Sequence, residues 1–193
     1  MGYTHYWYRK PELDKEKFIA FSRDVHTLLS GTNIPLTHSV KANGEWTHDV
    51  DGFTATDDLI DFNGKGPDSH ENFYIPQAVP EDPTRSQTTE LHGSPSPGNV
   101  FCFTKTAYKP YDKLVVACLI LGQFYFGREN FHISSDGDLG DWQEGLDLVN
   151  KTFGMEVLLV VSGAGDGFEV RDRIQDMKSV NMDEFEKIID TTY

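Results

Sequence analysis

Lys105, Thr106, Lys109, Tyr111 and Asp112 lie together in one short connector, within FCFTKTAYKPYD. Two ammonium groups, a hydroxyl, a phenol and a carboxylate are the kind of groups that fix a small anionic or carbonyl-bearing ligand, because each donates or accepts at a defined point. The surrounding chain is acidic, with 31 Asp and Glu against 17 Lys and Arg and a formal net charge of -14, so the positive charge here is a local exception. His5, Asn63, His70, Glu71 and Asp136 are the polar residues elsewhere that could converge on it. If they do, the leading expectation is a small-molecule-binding protein for an anionic or nucleotide-like ligand. The alternative is a hydrolase or transferase in which Glu71 or Asp136 is acid or base and Lys105 stabilises negative charge in the transition state. Each residue also has a plain structural use: Asp112 at a helix start, Asn63-Gly64 turning the chain, His5 packing.

Other chemistries find less support. Cys102 and Cys118 sit in apolar runs with no CxxC pair, which argues against a thiolate zinc site and against a reactive thiol. Asp136, Asp138 and Asp141 lack the glycine and glutamate spacing of a calcium loop, and there is no HExxH, so no metal site is assigned and no cofactor is specified. Gly64-Lys65-Gly66 lacks P-loop spacing. His92-Gly93-Ser94 and His132-Ile133-Ser134 match the paired triplets of two-histidine phosphoesterases in form, but the first lies in a Pro-rich stretch where no strand can aim it. Trp7, Trp46, Trp142, Phe101 and Phe103 could stack on a planar ligand beside Lys105, although core packing is the commoner use of such rings.

The acidic balance opposes binding to nucleic-acid backbones and anionic lipid. The longest apolar run, Leu114 to Leu121, is too short to span a bilayer, and the first residues lack a signal-peptide core; a soluble, cytoplasmic protein is expected. A third functional reading is an interaction module, with the 76–98 loop and the acidic C-terminal third engaging a basic partner.

The elements that must position these groups follow from periodicity. Gly2 to Arg9 reads as a strand, and Asp14 caps a helix with Phe18, Phe21, Val25 and Leu28 or Leu29 on one face, stopped by Gly31. Leu36 to Val40 and Glu45 to Val50 pair across Asn43-Gly44. Asp58 to Asn63 and Phe73 to Ile75 are short strands. Pro76 to Gly98 reads as a Pro-rich surface loop. Val100 to Lys105 reads as a central strand, and Pro110 opens a helix buried on most faces. Asn130 to Ser134 is a strand, followed by a helix with Trp142, Leu146, Val149 and Phe153 on one face. Glu156 to Ser162 and Phe168 to Arg171 form a hairpin, and Asp183 to Asp190 a final helix. The sum is one α+β domain over residues 1–193, a mixed or mostly antiparallel sheet with helices packed on it.

With GYTHYW, DFNG, HENF, FCFTKTAYKPYD, SSDG and Trp142 in view, the chain resembles a group of small bacterial, bacteriophage and fungal proteins. These begin MGYTHYW and carry a central FCKTARKPYD-like segment and a later SDG. The resemblance covers most of residues 1–160. It implies a phage-type accessory or defence-related role and brings no catalytic assignment. The chain departs from the pattern at Phe103 and Thr104, and at Tyr108, where the group often has a basic residue.

Overall fold

The computed structural model describes residues 2–79, 98–163, 165 and 167–172. In chain order the elements are β1 (Thr4–Arg9), α1 (Lys15–Ser30), β2 (Leu36–Ala42), β3 (Glu45–Asp51), β4 (Thr54–Ala55), β5 (Leu59–Gly64), β6 (Phe73–Pro76), β7 (Val100–Lys105), α2 (Asp112–Phe126), β8 (Phe131–Ser135), α3 (Gln143–Phe153), β9 (Val157–Val161) and β10 (Phe168–Asp172). The architecture is α+β. Two five-stranded sheets form, one ordered β7-β1-β8-β10-β9 and the other β3-β2-β5-β4 with β6 also on β5, and every pairing is antiparallel.

β1 organises the first sheet. Its pleat sends His5, Trp7 and Arg9 inward and Tyr6 and Tyr8 outward. Trp7 meets Phe73 of β6, and Phe73 meets Phe62 of β5, so the two sheets share one core. Arg9 is fully buried, and its guanidinium donates to the carbonyls of Lys10, Pro76, Pro11 and Gln77. Burial pulls its pKa down to about 10, which still leaves it charged at neutral pH. The charge is tolerated because backbone carbonyls surround it.

The helices cover the inward faces. In α1 the Asp14 carboxylate accepts from the Lys17 amide at 2.9 Å, and Phe18, Phe21, Val25, Leu28 and Leu29 are all buried. α2 is buried continuously from Leu114 to Gln123 and packs against α1, α3, β8 and β10. Two glycines set how closely it is approached. A Cβ on Gly122 would lie 2.8 Å from the Phe131 ring, and one on Gly145 of α3 would lie 2.7 Å from the Val116 Cβ.

Two expectations change. Val100 to Lys105 is an edge strand of its sheet, not a central one, and β1 holds the inner place beside it. The physical reason lies on its far edge, where the Lys105 amide donates to the Glu71 carboxylate and the Lys105 carbonyl accepts the Glu71 amide, so no further strand pairs there. The single expected sheet is two, and β4, only two residues long, gave no periodic signal. Of the Pro-rich stretch, Pro76 ends β6, and the Gln77 amide donates to Asp58 while the Val79 amide donates to Pro11. Residues 80–97 and the expected helix at Asp183 to Asp190 lie outside the described residues. No helix among the described residues is long and apolar enough to cross a membrane.

Candidate functional site

The connector from Lys105 to Asp112 joins β7 to α2, and its backbone carries the strain. Ala107 and Tyr108 follow one another with φ of 50° and 56°, a left-handed pair without a glycine. Side-chain-bearing residues pay roughly 1–2 kcal/mol each for that region. The Thr106 and Ala107 amides both donate to the Tyr3 carbonyl, which ties the bend to the start of β1. The bend lays the Tyr108 ring on Tyr3, centroids 4.0 Å apart and planes within 13°. Tyr3 is buried while Tyr108 is 61% exposed, so the pair runs from core to solvent.

Beneath Tyr108 lies a buried polar cluster. His5 Nε2 and Asp112 Oδ1 are 2.8 Å apart, and the Thr106 hydroxyl donates to the same oxygen. His5 is fully buried, held edge-on by Tyr3 and Trp142, and its Nδ1 has no hydrogen-bond partner among the described residues. Facing the Asp112 carboxylate, Nε2 donates. Asp112 is the first residue of α2, where its charge also suits the helix dipole. Burial raises the Tyr3 phenol well above its ordinary pKa.

The loop after β8 closes this cluster on one side. Asp136 accepts from the Thr4 amide at 3.1 Å and from the Tyr6 hydroxyl at 2.8 Å. Gly137 has no space for a side chain: a Cβ there would sit 2.7 Å from the Tyr3 hydroxyl and would run into Asp141. Ser135 Oγ receives the Trp142 indole N–H at 2.9 Å and the Gly137 amide at 3.1 Å. Tyr108's pKa is raised by desolvation and by the charges of Asp141, Asp112, Asp136 and Asp138. The field on this side of the connector is therefore negative.

A second group lies across β7. The Glu71 carboxylate accepts the Lys105 amide at 2.8 Å, the Glu71 amide donates to the Lys105 carbonyl at 3.1 Å, and the buried Tyr111 hydroxyl donates to the Glu71 carbonyl at 2.8 Å. Asn63 clamps the same segment: its amide donates to the His70 carbonyl and to Asn72 Oδ1, while its Oδ1 accepts from the Gly64 and His70 amides. His70 itself is exposed. Lys109 donates to the Pro67 carbonyl at 2.8 Å. The Lys105 ammonium is exposed and forms no ion pair among the described residues.

The fold thus brings His5, Thr106, Asp112 and Asp136 to one side of the connector. Glu71, Lys105, Tyr111, Asn63, His70 and Lys109 line the other. Asn63, Glu71, Lys109, Tyr111 and Asp136 spend their polar groups on the chain itself. Tyr3 and Ser135 were not singled out from sequence, and Tyr108 was noted only as a departure from the pattern of the resembling group. For Tyr3 a signal existed, since it precedes His5, Trp7 and Arg9 at strand period. Among the described residues no group of three or more His, Cys, Asp or Glu could hold a metal ion. Comparisons with family models, with curated proteins and with solved structures each find no match.

Proposed function

We propose that the protein binds a small nucleotide-like ligand at the Lys105–Asp112 connector. The observation that carries this reading is Tyr108, a mostly exposed ring held in a strained left-handed conformation, stacked on buried Tyr3. Strain of this kind persists where the surroundings over-determine it, and it clusters at ligand sites. The charges around the ring suit a ligand of two polarities. Asp138 and Asp141 offer acceptors to the N–H edge of a base stacked on Tyr108, and across the connector Lys105 offers its exposed ammonium to a phosphate. Binding is favoured over acid–base catalysis by Glu71 or Asp136, because both carboxylates already accept backbone amides. A phage-type accessory role, which the sequence resemblance implies, is compatible with such a ligand.

The test is a thermal-shift series with the four nucleoside monophosphates, guanosine and ribose 5-phosphate. At a hundred times the Kd a ligand adds about 2.7 kcal/mol of stability, a readily measured rise in Tm. Tyr108→Ala and Lys105→Ala should each remove the shift while leaving the unliganded Tm in place. A flat response to the whole series would sink the reading.

A further inference from the structure

The hairpin β2–β3 carries an irregularity that the binding site does not use. His38 pairs with Val50 and Val40 with Thr47, so Ser39 alone faces both His48 and Asp49. Asp49 takes φ of 60°, again left-handed without glycine. A bulge of this form re-aims the side chains beside it. Here Ser39 Oγ lies 2.9 Å from His48 Nδ1.

The serine is braced from below. Asp61, buried in β5, accepts the Ser39 amide on Oδ2 at 2.9 Å and the Asn72 carboxamide on Oδ1 at 3.0 Å. The same Asn72 nitrogen donates to Ser39 Oγ at 3.1 Å, and Asn72 Oδ1 accepts from Asn63. Ser39 Oγ accepts from Asn72 Nδ2, and in the tautomer that leaves His48 Nδ1 without a proton the serine donates its own proton to that nitrogen. A hydroxyl fixed at backbone and side chain within hydrogen-bond reach of an exposed imidazole supplies the nucleophile–base pair on which serine activation rests.

We propose that Ser39 is a nucleophile, with His48 as its base, toward small neutral carboxylic esters. Ser39 Oγ bonds to the ester carbonyl carbon, and its proton passes to His48 Nδ1. The bond from that carbon to the leaving oxygen breaks, and the proton goes to the departing alkoxide. Water, deprotonated by His48, then cleaves the acyl-serine, releasing the acid and restoring Ser39. The Asp61 carboxylate and the chain's net charge of -14 disfavour phosphate esters, whose anionic oxygens would meet them.

The protein supplies its own control. Ser30 Oγ lies 3.3 Å from His26 Nδ1 on the exposed side of α1, with neither a bulge nor a buried carboxylate beneath it. The full chain is treated with a fluorophosphonate probe, and labelled peptides are mapped by mass spectrometry; release of p-nitrophenol from p-nitrophenyl acetate is followed in parallel. Ser39 should be the labelled serine, and Ser39→Ala should abolish both signals. His48→Ala should slow labelling about a hundredfold at unchanged Tm, and added imidazole should restore part of the rate. The proposal is overturned if Ser39 is not labelled, if Ser30 labels as fast, or if His48→Ala labels at the parent rate.

Discussion

Asp112 and Lys105 stand at the two ends of one connector and should behave in opposite ways when truncated. Asp112 is 14% exposed at its side chain, and its Oδ1 serves both His5 and Thr106. Asp112→Ala leaves two buried groups without their partner, so a loss of about 3 kcal/mol is expected in denaturant titration. Lys105→Ala removes an exposed ammonium and should change stability by less than about 0.5 kcal/mol. Sequence made the chemical types in this connector legible, because turn, cap and ligand groups cluster after a strand. It did not show which of them the chain itself consumes. Asn63 was expected to offer donors, yet both ends of its carboxamide are committed to the backbone around His70 and to Asn72. Such commitments depend on distances between segments that periodicity does not carry.

At the scale of elements, local rules worked where one residue decides the geometry. Asp14 caps α1, Asn43 and Gly44 turn β2 into β3 with φ of 54° and 86°, and the apolar run from Leu114 is buried on every side. They failed for β7, whose place at the edge depends on what else pairs with β1. Close approach of elements was also beyond periodicity, and Gly145 is the case in point. Its missing side chain lets α3 lie on α2 beside Val116 and the Ala117 amide. Gly145→Ala normally favours a helix by about 1 kcal/mol. Here a Cβ would press on backbone as well as side chain, and overpacking costs typically about 1–3 kcal/mol. A lower Tm than that of the parent is therefore expected, against the propensity scale; a higher one would show that α3 can shift away.

For the molecule as a whole, two buried phenols and a half-buried one govern behaviour in alkali. Tyr3, Tyr111 and Tyr125 are each held well above the ordinary value of 10.0, chiefly by desolvation. The folded state then keeps these protons more tightly than the unfolded chain. Stability is therefore whole below pH 10 and falls as pH rises above it, because ionisation favours the unfolded state. Absorbance at 295 nm should show exposed tyrosines ionising first and the remainder ionising only with cooperative unfolding followed by circular dichroism. Two separate transitions, with phenols titrating in a still-folded protein, would contradict the burial described.

The position of β1 between β7 and β8 governs the order of assembly on the ribosome. The strand emerges well before its two sheet partners, residues 100–105 and 131–135. Contacts so distant in sequence are slow to form, since the intervening chain must be ordered before they repay its entropy. The α1 helix and the β2–β3 hairpin are local and can fold as they emerge. His5, Trp7 and Arg9 instead wait, unburied, until β8 has left the exit tunnel, so the polar cluster under Tyr108 is made whole only after the local elements have formed.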